Sequence, residues 1–174
     1  NIIGLGLPEA IATLCPGIDP GRAELLRSRY AWHFVEGSDT PMRFFSGVEA
    51  GVAGLRGRDH QRLAVATGKS RRGLDRVFRD SGSGGWFHAS RTADETRSKP
   101  HPLMLEELLA EHEVAVEEAV MVGDTEYDLE MARAIGMDRV AVTWGVHAPE
   151  RLAEIRPAFT AEAVPELFDW LQGR

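Results

Sequence analysis

Residues 119–128 read AVMVGDTEYD, the pattern of a buried strand that turns into a helix. Four apolar residues run directly into Gly123, which indicates a buried strand ending in a sharp turn. Residues 126–135 then continue with helical spacing. Asp124 is therefore expected at the strand tip, and Asp128 in the first turn of the helix. Because ligands of a parallel sheet bind beyond the carboxyl ends of its strands, the stretch predicts a functional site.

A carboxylate at a strand tip with a second one four residues on is suited to Mg²⁺, which prefers oxygen ligands and retains waters. The simpler interpretation is that Asp124 or Thr125 only caps the following helix. On this stretch alone the two readings are about equally good.

A second strand ends in a polar turn at residues 63–70, LAVATGKS. The Thr67 hydroxyl and the main-chain N–H groups of Gly68 and Lys69 are positioned to bind phosphate oxygens, with a helix N-terminus behind them. The alternative is an ordinary turn capped by Thr67 or Ser70. A P-loop is excluded, because the glycine it requires would fall at Leu63, inside the strand.

The third segment is Ser98-Lys99-Pro100-His101-Pro102. Two prolines stiffen it, so the Lys99 ammonium is expected at a fixed place where it neutralises a phosphate and a carboxylate. The alternative is a solvated lysine ahead of a helix. His101 is interpreted as a surface or capping residue.

Apolar strand patterns alternate with helical ones after residue 45, which predicts βαβ units and a parallel sheet in an α/β fold. We expect strands at 62–67, 86–90, 119–122 and 139–143 and helices at 47–55, 71–78, 102–112, 126–135 and 162–171. Two further helices are expected ahead of this region, at 7–14 and 22–34, with a boundary near residues 41–46.

Composition limits the possible partners. The chain has 174 residues, a net charge of −7 and a single cysteine. The acidic balance argues against a nucleic-acid partner, and no apolar run reaches the ~18 residues that a membrane span needs. One cysteine permits no internal disulfide, and a reduced cytoplasmic location is expected. The sequence makes no prediction about the oligomeric state.

The order of the three segments resembles the haloacid dehalogenase superfamily, in particular its phosphoglycolate-phosphatase-like branch. The strings that carry the resemblance are LAVATGKSRRGLDRV, SKPHPLMLEELL and VMVGDTEYDLEMARAIGM. The resemblance implies a Rossmann-like core with a parallel sheet at residues 45–174 and a partial helical cap at residues 1–44.

The resemblance also implies roles. Thr67 and Gly68 would bind the transferring phosphoryl group, and Lys99 would bridge it and the attacking carboxylate. Asp124 would ligate Mg²⁺, directly or through water, with Asp128 orienting the site from behind. The implied function is a Mg²⁺-dependent phosphatase of small cytoplasmic phosphate esters, acting through an aspartyl-phosphate.

One departure from the family is large. Its first motif, a strand ending in Asp-x-Asp that carries the nucleophile, occurs nowhere in the sequence. We expect that first core strand to be absent from the chain and the attacking carboxylate to come from a segment ahead of Asn1. The alternatives are a phosphomutase of the same superfamily, or a truncated, non-catalytic remnant that binds phosphate or Mg²⁺.

Overall fold

The computed structural model describes residues 2–37 and 43–174. Over these residues the helices are α1 (Leu7–Leu14), α2 (Pro20–Val35), α3 (Val48–Arg56), α4 (Arg71–Ser81), α5 (Leu103–His112), α6 (Glu126–Ala134), α7 (Pro149–Ala153) and α8 (Val164–Gln172). The strands are β1 (Ala64–Thr67), β2 (Ala89–Thr92), β3 (Val120–Gly123), β4 (Asp138–Val142) and β5 (Phe159–Ala161). None of the described helices is long and apolar enough to cross a membrane.

The strands form two parallel sheets. One has the order β1-β2, with Thr67 opposite Thr92, and the other has the order β3-β4-β5, with Gly123 opposite Ala141. The predicted α/β class with parallel pairing is confirmed. The arrangement also agrees with the expected absence of the first core strand: β1 and β3 each pair on one side only within the described residues, so the sheet is divided there.

A shared apolar core holds the two sheets together. Met104 and Leu105 of α5 pack with Met131 and Ala132 of α6 and with Met137. Side chains from both sheets contact this cluster; among them are Ala66 of β1 and Met121 of β3. The two sheets are therefore joined through helix packing, since no strand of one pairs with a strand of the other in the described part of the chain.

Most predicted elements are confirmed to within two residues. Helix α4 differs, because it ends at Ser81, three residues beyond the predicted end at residue 78. Residues 83–86 form a short 3₁₀ helix, which moves β2 to Ala89–Thr92. Helix α7 and strand β5 were not predicted, because five and three residues are too few to show a period. Part of the predicted boundary at 41–46 falls outside the described residues, and the division into 1–44 and 45–174 stays a prediction.

The N-terminal helices pack on the core through α2. This helix begins at Pro20, two residues before the predicted start, because the Asp19 carboxylate accepts a hydrogen bond from the Arg22 N–H at 3.1 Å. At the other end of α2, the Phe34 ring approaches Gly73 of α4. No residue of α2 is fully buried, and its exposed large side chains are Leu25, Leu26, Tyr30 and Trp32.

Arg71 joins the start of α4 to the end of β2. Its guanidinium donates to both Glu95 carboxylate oxygens at 2.9 and 2.7 Å and to Ser90 Oγ at 2.9 Å. Its main-chain N–H donates to Asp94 Oδ1. The hydrogen bonds from Arg71, and then from Thr92, hold the pKa of Glu95 at about 2, below its ordinary value of 4.5.

We expect Leu105→Ala to lower the free energy of unfolding by about 2–5 kcal/mol, because it opens a cavity in the core that joins the two sheets. Leu14→Ala is the control: Leu14 is a helical leucine, the last residue of α1, but it is 63% exposed, so its loss is expected to cost less than about 0.5 kcal/mol. Urea unfolding of both variants measures the difference. Equal losses would contradict the role given to this core.

The low pKa of Glu95 predicts that the stability of the protein depends on pH. Its pKa is depressed in the folded state, so its stabilising contribution is complete above pH 4.5 and is lost as the pH falls towards 2. The free energy of unfolding of the wild type should therefore exceed that of Glu95→Gln at pH 6, and the two should converge near pH 2. A difference that does not change between these pH values would refute the assignment.

Candidate active site

The turn after β1 carries the first group of predicted site residues. Thr67 ends the strand, and its Oγ1 accepts a hydrogen bond from the Lys69 N–H at 3.2 Å. Ser70 is the N-cap of α4 and accepts from the Gly73 N–H at 3.3 Å. The capping role proposed for Thr67 or Ser70 thus belongs to Ser70, and the proton of the Thr67 hydroxyl remains available for donation.

Gly68 lies in close contact with the N-terminal segment. A Cβ atom at position 68 would come within 2.7 Å of the main-chain oxygens of both Gly4 and Leu5, which leaves no room for a side chain. A Cβ at Gly4 would in turn lie 2.9 Å from Thr125 Oγ1. Gly4 therefore lies between the turn after β1 and the turn after β3 and approaches both closely.

The segment before α5 places Lys99 in the interior. Lys99 is 6% exposed, and its Nζ donates to Asp128 Oδ1 at 2.5 Å. The peptide bond to Pro100 is cis. The N–H of Gly6 donates to Ser98 Oγ at 2.7 Å, so the N-terminal segment also contacts this part of the site. The solvated-lysine alternative for Lys99 is excluded by its burial.

Asp128 connects Lys99 to the start of α6. Its Oδ2 accepts from the N–H and the hydroxyl of Thr125, at 3.1 and 2.7 Å, while Thr125 caps the helix by accepting from the Asp128 N–H. This reciprocal capping box fixes the turn that follows β3. Both Asp128 oxygens are occupied by these partners.

Asp124 takes no part in this capping box. Thr125, not Asp124, is the N-cap of α6, so the helix-cap interpretation of Asp124 does not hold. The Asp124 side chain is half-buried, and its Oδ2 accepts from the Val146 N–H at 2.9 Å. Its Oδ1 accepts no hydrogen bond from residues 2–37 or 43–174.

The donor set fits a hard cation with few protein ligands. No cluster of three or more His, Cys, Asp or Glu side chains able to hold a metal occurs in the described part of the chain. Mg²⁺ commonly binds through one or two carboxylates, completing its shell with waters and substrate phosphate. A single carboxylate with one uncommitted oxygen, as at Asp124, matches that pattern, whereas Asp128 is committed to Lys99 and Thr125.

The basic residues after β1 divide into two kinds. Arg71, Arg72 and Arg76 each pair with a carboxylate, on Glu95, Glu36 and Asp80 respectively. Lys69 forms no ion pair with any described residue, and its Nζ lies 4.6 Å from the centre of the Phe34 ring of α2. Burial lowers the pKa of Lys69. A desolvated ammonium that no described carboxylate pairs with favours an anionic ligand.

The loop after β4 was not anticipated from the sequence. Residues 143–148 follow the strand next to β3, and Val146 and His147 contact Asp124. Its position could have indicated a role in the site, because this loop leaves the carboxyl end of the strand adjacent to the one that carries Asp124. Phe34 was missed as well, because it belongs to a helix expected to be part of a separate cap.

Comparison with known proteins extends these observations. Residues 96–167 match the model of the HAD-hydrolase-like family. The chain is 35% identical over 130 residues to the Dickeya dadantii protein named "Probable phosphatase IndB", an alignment covering 73% of the chain and 55% of that protein. It is 26% identical to the pyrophosphatase PpaX of Listeria monocytogenes, covering 86% of the chain and 69% of that protein.

Among solved structures, a HAD-superfamily hydrolase from Geobacter sulfurreducens is 29% identical and superposes with a TM-score of 0.66, covering 94% of the chain and 72% of that protein. The chain spans little more than half the length of the Dickeya relative. The family match includes Lys99, Asp124 and Asp128, and the two sequence relatives and the fold agree with it. The chain therefore resembles hydrolases of the haloacid dehalogenase superfamily, in sequence over residues 96–167 and in fold over most of its length.

Proposed function

We propose that the complete protein is a Mg²⁺-dependent phosphatase that hydrolyses small phosphate esters in the cytoplasm through an aspartyl-phosphate. The observation that carries the proposal is the buried Lys99–Asp128 pair, which fixes the turn that carries Asp124 through the bonds from Thr125 to Asp128. One Asp124 carboxylate oxygen accepts no hydrogen bond from the described residues. Relatives named as phosphatases support the reaction class.

Phosphoryl binding is assigned to the two turns that Gly4 brings together. The Thr67 hydroxyl and the Gly68 N–H donate to phosphoryl oxygens. Lys99 has three N–H donors and gives one to Asp128, so its other two, which have no acceptor among the described residues, are available to the same group. These donors stabilise the charge on the equatorial oxygens in the transition state.

In this proposal Asp124 would bind the cation. Asp128 would orient the site through its hydrogen bonds to Lys99 and Thr125. When bound, Mg²⁺ neutralises the phosphoryl oxygens and orients the ester. Lys69 supports an anionic substrate, because its ammonium is desolvated and is not paired with a described carboxylate.

Residues 1–174 contain no Asp-x-Asp pair, the motif that would supply the attacking carboxylate. The proposed aspartyl-phosphate therefore requires a carboxylate from another segment of the complete protein or from another chain. Trapping the phospho-enzyme and mapping the modified residue by mass spectrometry would identify it.

We expect Asp124→Asn to lower the rate of phosphate release from a panel of small phosphate esters by at least about 100-fold in the full-length protein, because the cation loses its carboxylate. Chelation with EDTA should abolish the activity, and added Mg²⁺ should restore it. Asp138→Asn is the control, since Asp138 lies at the opposite end of β4 and pairs with Arg174. Full activity of Asp124→Asn would refute the proposal, and a product that keeps its phosphate would favour a mutase.

A second experiment separates stability from catalysis at Lys99. Lys99→Met should lower the free energy of unfolding by about 3–5 kcal/mol, because the buried Asp128 carboxylate loses its partner. Adding Asp128→Asn should recover most of that loss, since the buried charge is removed as well. Activity should remain at least about 100-fold reduced in the double variant. A stable double variant with wild-type turnover would show that Lys99 is structural only.

A further inference from the structure

The loop after β4 contacts Asp124 through both its side chain and its main chain. The Val146 N–H donates to Asp124 Oδ2 at 2.9 Å, and the His147 N–H donates to the Asp124 main-chain oxygen at 3.2 Å. Two consecutive main-chain donors thus fix the carboxylate and the backbone of the same residue. The orientation of the Asp124 side chain is set by this loop and not by α6, whose cap is Thr125.

Gly145 makes this approach possible. A Cβ atom at position 145 would lie 2.1 Å from Asp124 Cβ and 2.3 Å from Asp124 Oδ2. Both distances are far below contact distance, and the atoms belong to a short side chain fixed at the strand end. Any residue with a side chain at position 145 would therefore displace the Asp124 carboxylate or the loop.

His147 fastens the loop to the helix that follows Asp124. His147 is 2% exposed as a residue, and its Nδ1 accepts a hydrogen bond from the Glu126 N–H at 3.1 Å. An accepting Nδ1 means that the ring is neutral with its proton on Nε2, which has no partner among the described residues. Burial, together with the nearby Arg151, lowers the pKa of His147, in keeping with the neutral form.

We propose that Gly145, Val146 and His147 form a positioning element for the metal ligand: the Val146 N–H holds Asp124 Oδ2, so that Oδ1 is presented to the cation. His147 keeps the loop in register by bonding the first turn of α6. The inference rests on the proposed function, because that function assigns the cation to Asp124. Partners of this outer kind typically change metal affinity by about 10–100-fold when they are removed.

The experiment measures Mg²⁺ affinity directly, by titration calorimetry and by the Mg²⁺-dependent rise in Tm of the purified full-length protein. Gly145→Ala should raise the dissociation constant for Mg²⁺ by about 10-fold or more. Gly85→Ala is the matched control, because a Cβ there meets nothing within 4 Å, and it should leave the constant unchanged.

A pair of variants at His147 keeps the test valid if Gly145→Ala fails to fold. Asparagine places an acceptor close to the position of Nδ1, so His147→Asn should bind Mg²⁺ within about threefold of the wild type, whereas His147→Leu should bind about 10-fold more weakly. At saturating Mg²⁺ the turnover of His147→Leu should recover towards the wild-type value. Asp124→Asn should not recover.

The outcomes separate the inference from the function beneath it. Unchanged Mg²⁺ affinity in both Gly145→Ala and His147→Leu, with binding lost in Asp124→Asn, would overturn the positioning role while leaving the metal assignment intact. Equal weakening in His147→Asn and His147→Leu would overturn the role of Nδ1. Wild-type Mg²⁺ binding by Asp124→Asn would remove the metal from this site, and the proposed function with it.

Discussion

The buried ion pair between Lys99 and Asp128 is the interaction on which the rest of the candidate site depends. Two charges are withdrawn from water at the point where the segment before α5 meets the first turn of α6. Such a pair is tolerable only when the remaining lone pairs are also satisfied, and Thr125 supplies those bonds to Asp128. One cluster therefore fixes a lysine, a helix start and the turn that carries Asp124.

This arrangement distributes the two carboxylates of the motif between different tasks. Asp128 is consumed by neutralisation and capping, and Asp124 is left with an oxygen that no described residue uses. Identical chemical groups four residues apart thus differ through their neighbours alone. The basic residues after β1 differ in the same way: three arginines pair with acids, whereas Lys69 pairs with no acid among residues 2–37 and 43–174.

The sequence predicted what depends on local pattern. Apolar runs ending in Thr67 and Gly123 gave strands at the right places, and Pro102 and Thr125 marked real helix starts. It could not predict contacts between distant segments. The approach of Gly145 to Asp124 and of Gly4 to Gly68 depends on which strands and loops become neighbours in space, and no local period encodes that. The division of the sheet between β1 and β3, in contrast, was expected, because the resemblance implied that the first core strand is absent.

Lys69 is half-buried beneath α2. The position of that helix and the protonation of the Lys69 side chain are therefore thermodynamically coupled. Its ammonium is desolvated where Phe34 approaches the turn after β1. Any movement that separates α2 from α4 returns the ammonium to water and raises its affinity for a proton, so proton binding must by reciprocity favour the separated arrangement. An anion arriving beside Lys69 acts in the opposite sense, since it compensates the buried charge and favours the packed arrangement.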